Sequence, residues 1–145
     1  MISYYDLVEL LHSYSKEPIN ETMISNLNNL EVDLKGDRYF RFIDHLTILI
    51  SERLENALIN FENKMMNTVL NKNNFIIEFR EILQEIAFVK ELASIKLVLD
   101  ENKEEFERTI KKSINNMLDR ITDMYLSNTD DKFVLEEIKN AYEVI

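Results

Sequence analysis

The chain is predicted to be all-α: a helical bundle with two short N-terminal helices, three long antiparallel helices and a short C-terminal one, about five or six in all. Three observations carry this. The 145 residues contain a single Gly and a single Pro, too little turn material for a set of hairpins. From Asp37 to Asn71 there is neither, and apolar residues recur at Phe40, Ile43, Leu46, Ile50, Leu54, Ala57, Phe61, Met65 and Val69. Those steps of three and four mark one face of a helix, and nowhere is there a long alternation with the period of two that a strand requires. At about 1.5 Å per residue this helix is roughly 50 Å long and serves as the spine for shorter elements.

Ser3 followed by Asp6 has the spacing of an N-cap with an acidic third residue, and Tyr4, Leu7, Val8, Leu11 and Tyr14 continue a helical stripe that Pro18 ends. Asn20 is expected to cap a second helix with Glu21 in its first turn and Ile24, Leu27 and Leu30 buried. Glu31 to Gly36 is non-periodic and holds the one glycine, so it is a loop, with Asp37 as cap of the spine. The first half of the spine is apolar nearly all round, because Tyr39, Phe42, Ile48 and Leu49 supplement the stripe; such a helix is covered on several sides, and the two N-terminal helices are the expected cover.

Asn71 to Asn74 is the next expected break. Phe79, Ile82, Ile86, Val89, Ala93 and Leu97 then define another helix. The six polar residues from Asp100 to Glu105 are expected to form a turn, because the following stripe, Phe106, Ile110, Ile114, Met117, Ile121 and Met124, restarts half a turn out of phase with Leu97. Ser127 to Asp130 breaks the pattern again, and Val134, Ile138, Ala141 and Ile145 belong to a final helix. One domain spanning residues 1–145 is expected, with residues 1–36 capping a long-helix bundle of 37–145. A stripe sustained over four heptads also suits a seam between two chains, so a homodimer is a second arrangement.

Composition removes several function classes. There is no Cys, which excludes disulfides, thiolate metal sites and Cys nucleophiles, and two His are too few for a His-rich metal centre. The formal charge of −10 opposes binding to nucleic acid or anionic membrane and favours basic partners or cations. The N-terminal residues lack the basic and long apolar regions of a secretory signal, and no apolar run approaches membrane-spanning length, so a cytoplasmic location is expected. The 16 Asn among many Lys and Ile suit an AT-rich bacterial, phage or plasmid genome.

Carboxylates are the one chemistry the chain offers in quantity. Glu52 with Glu55, and Glu78 with Glu81, are i, i+3 pairs on what should be facing antiparallel helices, an arrangement able to share a hard cation. In these two pairs the chain resembles the all-α MazG-type nucleotide pyrophosphohydrolases, which hold magnesium with Glu-x-x-Glu on one helix and Glu-x-x-Asp on the next. That resemblance spans Glu52 to Glu81, has Glu81 where the family has Asp, and implies Mg²⁺-assisted attack on a nucleotide phosphate. The competing expectation makes these glutamates solvated ion-pair partners of neighbours such as Arg53 and Arg80, with no cofactor. His12 and His45 lack a partnering nucleophile, and the one basic cluster, Arg108, Lys111 and Lys112, follows Glu104, Glu105 and Glu107 in the order that favours intrahelical pairing. There is no glycine-rich phosphate loop and no nucleophile elbow.

Six Tyr and six Met without Trp remain, and Tyr4, Tyr5 and Tyr14 crowd one small helix, so at least one should reach the surface near the Glu31 to Gly36 loop as a partner contact. The function expected from these features is a non-enzymatic protein-protein interaction module for a basic partner, of the immunity, antitoxin or phage and plasmid accessory kind. A magnesium pyrophosphohydrolase and a structural homodimer are the alternatives.

Overall fold

Ser3 opens the first helix as its spacing predicts: the hydroxyl accepts the Asp6 N–H at 3.1 Å, and α1 spans Tyr4–Tyr14. The computed structural model describes residues 1–66, 72–126 and 132–143. Asn20 Oδ1 accepts both the N–H and the hydroxyl of Thr22 at 2.9 Å, but the N-cap position of α2, Thr22–Asn28, is held by Glu21 and not by the expected Asn20. Gly36 takes φ +59°, a left-handed conformation in which a side chain would be strained, and the chain turns there into α3, Asp37–Met66. The later helices are α4, Lys72–Leu92; α5, Asp100–Leu126; and α6, Lys132–Glu143. Among the described residues the protein is all-α, and the extended chain contributes one isolated parallel bridge, Ile2 to Val32.

Two expected breaks lie elsewhere. Helix α4 has begun by Lys72, inside the polar run Asn71 to Asn74. Asp100 to Glu105 is no turn but the start of α5. Its acidic residues sit where the unpaired N–H groups of a helix make negative charge favourable, a placement that looks like a polar loop when read along the sequence. The turn between α4 and α5 is residues 93–99, which hide Ile95 and Val98 in the core and so mimic a continuing helical stripe. The break at Ser127 to Asp130, Val69, Ile145 and the side chain of Val134 lie outside the described residues.

Long-range pairs give the directions of the long helices. Arg53 meets Glu85 while Lys64 meets Glu78, so α4 runs antiparallel to α3. Tyr39 meets Asn102 while Glu62 meets Arg120, so α5 runs parallel to α3. Helix α1 packs across α3, and α6 packs on α5 and α4. All six helices contribute to one cluster of buried side chains, among them Leu7, Met23, Phe42, Phe75, Ile114 and Ile138. At its N-terminal end α3 buries Tyr39 and Phe42 where Phe40 and Ile43 were expected; Phe40 is exposed and Ile43 half-buried. Farther along, Leu46, Ile50, Leu54 and Phe61 are all buried within the single chain. The stripe considered as a dimer seam is therefore consumed inside the protomer.

The Tyr39 hydroxyl ties the turn down. It accepts the Leu99 N–H and donates to Asn102 Oδ1, each at 3.0 Å, fixing the start of α5 against α3. Tyr39→Phe is expected to cost about 1–2 kcal/mol by leaving partly buried groups unsatisfied, lowering the melting temperature by about 3–6 °C in a circular-dichroism melt.

At the other end of α5, the Tyr142 hydroxyl donates its proton to Asp119 and lies within hydrogen-bond distance of Thr122 Oγ1, at 3.2 Å. Burial, followed by the hydrogen bond to Asp119, raises the phenol above its ordinary 10.0. The native state thus holds this proton more tightly than the unfolded chain, so the contribution is whole below about pH 10 and is lost as pH rises through the native pKa. Melts carried into the alkaline range should show stability falling there, and Tyr142→Phe should flatten that part of the fall.

Candidate functional site

Arg53 sits on the buried face of α3, three residues after Ile50 and four before Ala57, and is 6 % exposed. A guanidinium cannot shed its charge, so burial demands partners for it. Nε donates to Glu85 Oε2 at 3.0 Å and Nη2 to Glu85 Oε1 at 2.6 Å, a two-pronged pair across the α3–α4 groove. Nη1 donates to the carbonyls of Tyr14 and Glu17 at 2.6 and 2.7 Å, and the cation lies 5.0 Å from the ring centre of Phe88. One side chain thereby fastens the end of α1 and the loop after it to the α3–α4 hairpin. The sequence pattern treated Arg53 as a solvated ion-pair partner; its place inside the apolar stripe was the available sign of burial.

This anchor forms the floor of an open crevice of about 700 Å³. One wall is the loop from Ser15 to Ile19, and the others come from Asn56, Ile59 and Asn60 on α3 and from Glu78, Glu81, Gln84 and Glu85 on α4. Lys64 reaches both Glu78 Oε2, at 3.3 Å, and Glu81 Oε2, at 3.0 Å, and its hydrogen bonds to Glu81 and then Glu78 push its ammonium pKa up. Glu78 Oε2 is closed off from solvent and lies 3.3 Å from Lys64 Nζ. Arg53 balances Glu85, and Lys64 balances one of its two glutamates. Glu78, Glu81 and Glu85 together therefore carry one negative charge more than Arg53 and Lys64 offset, and Lys16 and Glu17 also line the crevice.

The four glutamates singled out from the sequence do not share this crevice. Glu78 and Glu81 line it, whereas Glu52 faces a narrow cleft between α1 and α3 beside His12 and His45, and Glu55 is exposed on α3. Among the described residues no three His, Asp or Glu converge as a metal site would require. The tyrosines also separate: Tyr5 is 74 % exposed and stacks edge-on with half-buried Tyr4, while Tyr14 is buried and offers its carbonyl to Arg53. The Ile2 N–H donates to the Glu31 carbonyl at 2.9 Å, which ties the residues before α1 to the Glu31 to Gly36 loop. In the basic cluster, Arg108 pairs with Glu104 one turn before it, at 3.5 Å.

No helix among the described residues is long and apolar enough to cross a membrane. Comparison with known proteins finds no matching family model, no matching curated protein and no matching solved structure.

Proposed function

We propose that the chain is a non-enzymatic protein-interaction module whose crevice receives a basic side chain of a protein partner. The observation that carries this is the surplus carboxylate of the Glu78 and Glu81 pair, facing an open crevice whose rim includes the exposed Ile19 and Ile59. A lysine or arginine entering there lays its methylene stem on the isoleucines and brings its charged head to Glu81 and Glu78, near the amides of Asn56, Asn60 and Gln84. The net charge of −10 draws such a partner from a distance, an effect that salt weakens. An acidic bundle of this size suits an immunity or antitoxin protein that masks a basic toxin in a bacterial cytoplasm.

The test is fluorescence anisotropy with a labelled arginine tetrapeptide at low salt, beside a glutamate tetrapeptide. The arginine peptide should bind, weaken as salt approaches ~0.15 M, and lose affinity several-fold with Glu81→Gln. Glu81 is largely exposed, so that variant keeps its fold. Binding of the arginine peptide undiminished in both Glu81→Gln and Glu78→Gln would show that the crevice is not where the peptide docks.

A further inference from the structure

The crevice is lined on α3 from Arg53 to Phe61 and on α4 from Glu78 to Glu85, so each wall is about two helical turns, or 10–12 Å, long. An extended chain covers that length with three or four residues at ~3.3 Å each. The two walls carry carboxamides as well as carboxylates. Asn56 and Asn60 stand on α3 and Gln84 on α4, all three are exposed, and none shares a side-chain hydrogen bond with another described residue. A carboxamide holds a donor and an acceptor side by side, as a peptide unit does, and neither a carboxylate nor an ammonium group offers both.

The spacing of these amides fits one backbone conformation. Asn56 and Asn60 are one helical turn apart, about 6 Å along α3. Two residues of an extended chain advance about 6.6 Å, and every second residue turns its N–H and C=O to the same edge. The two asparagines therefore match alternate residues along one edge of an extended peptide, and Gln84 meets the other edge from the opposite wall. A helical partner offers no such match, because its N–H and C=O groups already bond one another.

We infer that the crevice seats an extended basic segment of the partner, its backbone held by the carboxamides of Asn56, Asn60 and Gln84 while an inward Lys or Arg reaches Glu81 and Glu78. This rests on the basic-partner function proposed above and deepens it. The carboxylates select a cation, and the carboxamides select a peptide backbone whatever side chains it carries.

Three cations test the inference in competition with the labelled arginine tetrapeptide: the unlabelled tetrapeptide, the same peptide methylated at every backbone nitrogen, and spermine, which has no peptide units. Each is titrated into the unmodified protein, an Asn56→Ala, Asn60→Ala variant, and Glu81→Gln. All three positions are exposed, and alanine favours the helix, so the variants keep their fold. Methylation should weaken the peptide about tenfold, and the asparagine variant should weaken the unmethylated peptide by a similar factor while leaving the methylated peptide and spermine unchanged, so that the two losses coincide instead of adding. Glu81→Gln should weaken all three ligands.

Undiminished binding of the unmethylated peptide to the asparagine variant would overturn the extended segment, as would a methylation penalty that persists in that variant, since it would then arise from bulk and not from lost hydrogen bonds. If Glu81→Gln still weakened binding in either case, the crevice would stand as a receptor for a basic side chain alone. A tenfold loss in the asparagine variant beside no effect of Glu81→Gln would keep the extended segment and remove the carboxylate from its recognition.

Discussion

Arg53→Met is expected to lower the melting temperature by about 10 °C, equivalent to about 3 kcal/mol for a chain of this size. The substitution fills similar space and keeps contact with Phe88, but it strands the Glu85 carboxylate, which is 17 % exposed, and removes the donor from the Tyr14 and Glu17 carbonyls. Leaving a buried charge without its partner costs far more than the pair contributes relative to an apolar pair. The double variant Arg53→Met, Glu85→Leu should therefore recover much of the loss, and Arg53→Lys should not, because an ammonium cannot span a carboxylate and two carbonyls as the planar fork does. A single variant that melts with the unmodified protein would mean that Arg53 does not fasten α1 to the hairpin.

Phe75→Ala is expected to cost about 3–5 kcal/mol, read as a lower urea midpoint with an unchanged slope. Phe75 is fully buried, its ring stacks on Phe79 at 4.8 Å between centroids, and Phe61 meets it edge-on at 6.2 Å. These three rings close the α3–α4 hairpin at the end away from Arg53. Removing the central one leaves a cavity that two helices already fixed by Arg53 and Glu85 cannot close by moving together. A cost below about 1 kcal/mol would show that the rings are not packed as one unit.

Much of the fold was legible because its signals are local. Ser3 with Asp6, the glycine before Asp37, and the stripes through Phe61, Phe79 and Ile114 each depend on a few neighbouring residues, and the structure places helices there. Where apolar residues surround the helix, as at Tyr39, Phe40, Phe42 and Ile43, periodicity cannot say which pair faces inward; the choice belongs to α5, whose Asn102 takes the Tyr39 hydroxyl. Asp100 to Glu105 misleads for the opposite reason, since a polar helix start and a polar loop have the same composition. The crevice was less legible. The spacing of Glu78 and Glu81 put both on one face of a helix, and Lys64 indeed meets both, but the rotation of α3 against α4 decides that Arg53 and not Glu52 faces them. That rotation is set by packing distributed over the whole hairpin and leaves no mark at the glutamates.

The most direct test of the crevice as a receptor for a basic side chain is amide chemical-shift mapping of the isotope-labelled protein as the arginine tetrapeptide is added. The largest shifts are expected at Glu17, Asn56, Asn60, Glu81 and Gln84, which line the crevice. Shifts confined to the exposed acidic start of α5, at Glu101, Glu104 and Glu105, would contradict it, because the peptide would then be following negative charge alone.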